Sequence, residues 1–179
     1  MKVSIILFLL MLNSITVFGQ EAIVTELDEN GKLTGQSITK LDSISAEEIY
    51  KKAEEWVAYT FTNTESVTQA KIENKMIRLK GISKSVIGPY MGFYFDLSYQ
   101  IQIDIKEENV RFTITNLKQV SQSSPFTKTS LELFYKKGKL KKRKAIIKTK
   151  EQVDKQINLI QQSLISQIRG EEKADKDDW

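Results

Sequence analysis

The 179-residue chain carries 27 Lys and Arg against 23 Asp and Glu, a net charge of +4, too small to dictate a class of partner. It has no cysteine and no histidine, which removes disulfides, thiol nucleophiles, imidazole bases and the commonest zinc, copper and haem ligands. Its length suits one domain with one sizeable core.

The first residues have the layout of a secretory signal peptide. Met1-Lys2 is a minimal positive start, residues 3–12 are apolar apart from Ser4, and Val17 and Gly19 are the small residues before a cut at Gly19-Gln20. An apolar run this short falls well below the roughly 20 residues of a spanning helix. The expected mature chain starts at Gln20 and is exported, periplasmic or secreted. No cysteine follows the cut, so a lipidated start is excluded, and stability has to come from burial and hydrogen bonding.

Residues 20–35 read as a polar N-terminal segment with an Asn30-Gly31 turn, and residues 36–41 as a first strand. Asp28 to Gly31 has a faint likeness to a calcium loop, but Lys32 and the missing later glutamate contradict the ligand pattern and leave a plain turn. Ser45-Ala46-Glu47-Glu48 has the form of a capping box. Ile49, Ala53, Trp56, Val57 and Phe61 follow at helical spacing, which predicts a helix that buries one stripe with Trp56 as its anchor.

Residues 67–72 and 75–83 read as a hairpin turning at Glu73-Asn74, and residues 81–92, interrupted by Gly88-Pro89, as a longer connection. Phe93, Phe95, Leu97, Tyr99, Ile101, Ile103 and Ile105 then hold successive odd positions between mostly polar neighbours. A period of two kept this long predicts a strand with one face in the core and one wet. Residues 107–109 turn the chain, with Glu107-Glu108 expected in solvent. Val110, Phe112 and Ile114 alternate again until the phase slips at Asn116-Leu117, the sign of a bulge or a strand end.

A loop at residues 121–125 precedes a short helical turn at 131–135 ended by Gly138. Thr149 and Gln152 repeat the capping-box spacing. Val153, Ile157, Ile160, Leu164 and Ile168 then step along a final helix that Gly170 stops. Residues 170–179 form a charged tail expected to be disordered. The order β-α-β-β-β-β-α makes residues 36–169 a single two-layer α+β domain, with an antiparallel sheet of about five strands and two helices on one face.

Three phrases carry a family resemblance: AEEIYKKAEEWVAYTF, YQIQIDIKEENVRFTITNLK, and SLELFYKKGK with VDKQINLIQQSL. Through them, residues 36–168 resemble domain-of-unknown-function family 4468, exported Bacteroidota proteins with a TATA-binding-protein-like fold. The resemblance implies a fold and an exported setting. It implies no activity, cofactor or functional residue.

The fold name invites a DNA-binding reading, which the residues of the expected open sheet face test. That face carries Arg78, Lys80, Asp96, Ser98, Gln100, Gln102, Asp104, Arg111, Thr113 and Thr115, with Tyr94 as its aromatic residue. Carboxylates among the cations and the lack of paired aromatic wedges argue against nucleic acid. Catalysis finds little footing either: Asp96 and Asp104 sit about 26 Å apart along a strand, beyond the reach of paired carboxylates. No nucleophile-elbow motif is present. A hydrolase without Cys or His is the weakest reading, and no metal or cofactor is implied.

What remains is an exported, non-catalytic binding or envelope-associated module. It would dock a protein or peptide in the cell envelope through Arg78, Lys80, Gln100, Gln102, Arg111 and Thr113. Alternatively the cations Lys136, Lys137, Lys139, Lys141, Lys142, Arg143 and Lys144 associate with anionic lipid or glycan surfaces. That run reads first as a solvated connection before the last helix, screened by the acidic tail.

Overall fold

The computed structural model describes residues 22–122 and 127–171. The expected signal peptide, the centre of the 121–125 loop and residues 172–179 of the expected tail lie outside the described residues. In chain order the elements are β1 (Glu26–Leu27), β2 (Leu33–Lys40), α1 (Ala46–Thr60), α2 (Thr64–Val67), β3 (Thr68–Ile72), β4 (Met76–Tyr90), β5 (Phe93–Lys106), β6 (Asn109–Ser121) and β7 (Lys128–Ser130). A 3-10 turn (Leu131–Phe134), β8 (Tyr135–Lys136), β9 (Lys139–Leu140) and α3 (Lys144–Arg169) complete the fold.

Strands β1 to β7 form one seven-stranded sheet in the order β1-β2-β6-β5-β4-β3, with β7 added on β6. All its pairings are antiparallel. Helices α1 and α3 pack on each other and on the sheet, closing a two-layer α+β domain. The short β1 and β7 raise the count above the five strands expected.

The predicted stripes form the core. Ile49, Ala53, Trp56 and Val57 of α1 are buried, as are Val153, Ile157, Ile160, Leu164 and Ile168 of α3. Trp56 is fully buried, donates from Nε1 to Ser163 Oγ at 3.1 Å and meets Phe61 edge-on. Its indole thus fills the seam between the helices with its one polar atom satisfied. Ser45 caps α1 by accepting the Glu48 amide at 3.2 Å. Glu107 is not simply a solvated turn residue: its carboxylate accepts the Ala46 amide at 3.1 Å at the same helix start.

On the sheet, Leu97, Tyr99, Ile101, Ile103 and Ile105 are buried opposite Ile77 and Leu79 of β4 and Val110, Phe112 and Ile114 of β6. Gly81 lies under the Tyr99 ring, where a Cβ would come within 2.3 Å of it, so only glycine fits. The slip at Asn116-Leu117 is a bulge, with a register shift between Ser98 and Gln100 and a positive φ of 55° at Asn116. There β6 changes partner, from β2 before the bulge to β7 after it.

Four expectations change. Residues 81–92 are not a loose connection: β4 runs on to Tyr90, with Ile87 fully buried. Register shifts between Ser83, Ile87 and Tyr90 destroy the period of two that would have revealed it. The hairpin strand starts at Thr68, not at residue 67, because Asn63 caps the short α2 through the Ser66 amide at 3.0 Å. Helix α3 starts at Lys144, more than a turn before Thr149, which is buried inside it. Gly170, with φ 68°, ends α3 as expected.

Finally, the polar segment 20–35 belongs to the domain from its first described residues. Ile23 and Leu33 are buried in the core. The Asn158 side-chain amide pairs with both the Ile23 amide and its carbonyl, each at 2.8 Å. Asp154 takes the Thr25 amide at 3.2 Å and its hydroxyl at 2.8 Å. Gln152 does at the other side of α3 what Asn158 does here, accepting from the Gly88 amide at 3.2 Å and donating to the Gly88 carbonyl. The Asp28 carboxylate closes the Asn30-Gly31 turn through the amides of Asn30 and Lys32.

Candidate binding surfaces

The six residues proposed for partner binding do share the sheet face turned away from the helices. Cross-strand register sets them in rows: Arg78 opposite Gln102 and Gln102 opposite Thr113, with Lys80 opposite Gln100 beside them. Arg111 lies one row over, opposite Asp104. Arg78 donates to Gln102 Oε1 from Nε at 3.1 Å and from Nη2 at 2.7 Å. Gln102 Nε2 donates to Asp104 Oδ1 at 2.8 Å, and Arg111 Nε donates to Asp104 Oδ2 at 3.0 Å, with Nη2 2.9 Å away.

Four polar side chains from three strands are therefore one hydrogen-bonded ladder, with Asp104 at its hinge. Singling out residues by type missed Asp104 as a member. It also missed Ile38, Ile72 and Ile82, exposed apolar residues on neighbouring strands, because only the register brings them to this face. Lys80, Gln100 and Thr113 join no part of the ladder.

Asp96 and Ser98, expected on that wet face, are buried instead, Asp96 at 4 % exposure. Where β4 loses register between Ser83 and Ile87, its Lys84 and Ser85 reach Asp96. Asp96 accepts the Ser85 amide at 2.9 Å, Lys84 Nζ at 3.1 Å and the Gln122 side-chain amide. Burial alone would push its carboxyl up, but these hydrogen bonds, Gln122 foremost, hold it below the usual carboxylate value. Ser85 has a positive φ of 53°, so Asp96 pins the strained point of the β4 bulge. Tyr99, raised by burial and partly offset by Ser83, is likewise a core group with its hydroxyl 3.2 Å from Ser83 Oγ.

The lysine run has a defined conformation. Tyr135 pairs with Leu140 and Lys136 with Lys139 in a two-residue hairpin. Its turn residues Lys137 and Gly138 both have positive φ, at 53° and 75°. Gly138 thus makes this turn rather than ending a helix. Leu131 is buried and Tyr135 half-buried, whereas Lys136, Lys137, Lys139, Lys142 and Arg143 are exposed around an open groove of about 860 Å³, and Lys144 is exposed beside it in sequence. Lys141 donates to the Leu133 carbonyl at 2.6 Å. None of the seven cations pairs with a carboxylate among the described residues. Burial pushes the Tyr135 hydroxyl up to about 12, with Asp154 and Glu26 adding to the effect.

An antiparallel sheet with its helices on one face and the other face open is the architecture of TATA-binding-protein-like α+β domains. The family described as a domain of unknown function with TBP-like fold, DUF4468, has a model that matches residues 36–119, so over those residues the resemblance read from the sequence holds. The chain superposes with a TM-score of 0.58 on a TBP-like protein from Parabacteroides distasonis ATCC 8503, at 10 % identity, covering 77 % of this chain and 96 % of that one. A DUF4468 family protein from Bacteroides ovatus ATCC 8483 gives a TM-score of 0.57 at 14 % identity, covering 84 % and 93 %. At these identities the likeness concerns the fold alone. No curated protein matches the sequence. Among the described residues no helix is long and apolar enough to cross a membrane.

Proposed function

We propose that this is a non-catalytic binding module, exported after removal of its leader, that docks a protein or peptide segment on its open sheet face. The observation that carries this reading is the ladder from Arg78 through Gln102 and Asp104 to Arg111. Holding long side chains in place before a partner arrives removes part of the ordering cost of binding. Lys80 and Thr113 offer further polar groups beside it, and Ile38, Ile72 and Ile82 supply apolar contact. Arg111 is neutralised by Asp104, which favours a neutral polypeptide over a phosphate backbone.

The test is a saturable partner recovered from an envelope extract by the immobilised protein. The double substitution Arg78→Ala and Arg111→Ala should weaken its binding by about tenfold or more. A partner that binds the double variant as tightly as the parent sinks the reading.

A second reading rests on a different observation, the exposed cations of residues 136–144 with no carboxylate partner among the described residues. In this reading the basic hairpin holds the module against an anionic envelope surface, lipid or glycan, and the association weakens with salt.

A further inference from the structure

We infer that one end of this domain seats on an anionic lipid bilayer, with the β4–β5 hairpin tip entering the headgroup region while the neighbouring cations hold lipid phosphates. The inference rests on the second reading above and goes beyond it, by adding an apolar element and choosing lipid over glycan.

The tip is the sequence Tyr90-Met91-Gly92-Phe93-Tyr94, and all four of its side chains are exposed: Met91 at 95 %, Phe93 at 65 %, Tyr94 at 46 % and Tyr90 at 43 %. Met91 and Gly92 are the turn residues, with positive φ of 48° and 85°. Asn or Asp ordinarily fills the first of these positions, because a methionine there is strained and gains nothing from burial. A hairpin tip that puts a thioether and three aromatic rings into water breaks local rules without a return in stability. Such departures mark functional surfaces.

The cations lie at the same end. Gln156 bonds to Ser83, and Gln152 to Gly88, so moving toward the N-terminus of α3 runs alongside β4 toward its tip. Lys148 and Lys144 lie beyond Gln152 in that direction, by about 6 and 12 Å at 1.5 Å per residue. Tyr90 and Phe93 lie two and five residues past Gly88. Between Glu132 and Glu151 the sequence has no carboxylate, so this start of α3 and the hairpin before it present only positive charge. Ile147, on the first turns of α3, is also exposed.

The combination selects the ligand. A sulfated or phosphorylated glycan would engage the lysines and leave the convex apolar tip idle. A folded protein would have to offer a cavity for the tip. A bilayer interface accepts both at once: phosphates for the cations, and a deformable boundary region where tyrosine keeps its polar and apolar ends satisfied and methionine and phenylalanine leave water.

Flotation of the purified protein with phosphatidylcholine vesicles, with and without phosphatidylglycerol, tests this. The parent should float with the anionic vesicles alone. The double substitution Met91→Ser and Phe93→Ser should cut flotation about tenfold with an unchanged melting temperature; Lys142→Gln, Arg143→Gln and Lys144→Gln together should cut it as far without lowering the melting temperature. Because the chain has no cysteine, Met91→Cys provides one labelling site for an environment-sensitive dye, whose emission should shift to the blue on anionic vesicles. Undiminished flotation of the tip variant, or a dye that stays in water, overturns the inference while leaving the charge reading intact. Heparin binding that the tip variant retains, with no flotation of the parent, assigns the cations to glycan. Absence of both vesicle and heparin binding overturns the inference and the charge reading together.

Discussion

The open sheet face and the lysine hairpin are both rich in cations, yet they treat charge in opposite ways. On the sheet, Arg78 and Arg111 are fixed by Gln102 and Asp104, and Asp104 is three-quarters shielded, with a side-chain exposure of 22 %. On the hairpin and the start of α3, the cations extend into solvent, and Arg143 and Lys144 sit at a helix N-terminus with no acidic residue in its first turn. Positive charge there opposes the helix dipole. The same residue types therefore stabilise the fold in one place and cost it stability in the other. Composition does not separate the two cases; strand register and helix polarity do.

This contrast makes graded predictions. The largest effect is expected at Asp96, which belongs to neither surface but fixes the bulge between the sheet and the hairpin tip. Asp96→Ala leaves the Ser85 amide without its acceptor, at a cost of about 1–3 kcal/mol in chemical denaturation. Because folding holds the Asp96 carboxyl below its ordinary value of 3.8, its contribution is complete above that pH and is lost as pH falls through the depressed folded value. Asp96→Asn should flatten the decline of stability below pH 3.8; an unaltered acid limb would show that other carboxylates carry it.

A smaller loss, about 1 kcal/mol, is expected for Asp104→Ala, which unties Arg111 and removes the acceptor of Gln102 Nε2 at a largely shielded position. No loss in urea melts would mean that the ladder positions side chains without stabilising the sheet. The smallest effect has the opposite sign. Lys142→Gln, Arg143→Gln and Lys144→Gln together should raise stability by about 0.5 kcal/mol at low salt, and the gain should fade as salt is added. A destabilised triple variant would mean that these cations have structural partners after all.

Much of the fold was legible because the long elements keep strict periods. The odd positions of β5 from Leu97 to Ile105 and the Val153-to-Ile168 stripe of α3 are buried as their spacing implies. The same alternation put Phe93 and Phe95 in the core, but at this end of β5 Phe93 is exposed and Phe95 only partly buried. Legibility fails where a local pattern has more than one physical outcome. Gln152 has capping-box spacing to Thr149, but its amide is taken by Gly88, a residue 64 positions away. The Ser83–Ile87 stretch of β4 carries extra residues that erase alternation, so a strand with a fully buried isoleucine read as a loop. Asp96 followed the alternation of β5 and is still buried, where Lys84 and Ser85 of the β4 bulge reach it. The six sheet-face residues were readable from parity alone, whereas their linkage through Asp104 needed the pairing of three strands.

Two of the amide side chains that α3 lends to the rest of the domain, Gln152 to Gly88 and Asn158 to Ile23, each grip both the amide and the carbonyl of one residue. Neither carries charge, so neither grip titrates with acid nor fades with ionic strength. These two fastenings are electrically silent, whereas Asp154, which holds Thr25 to α3, is charged, and the outward-facing lysines remain free to respond to the medium. Salt or pH strong enough to detach the lysine hairpin from an anionic surface would leave the two silent fastenings closed. On the proposed reading, the module would release such a surface with these two grips intact and bind again when the medium changes back.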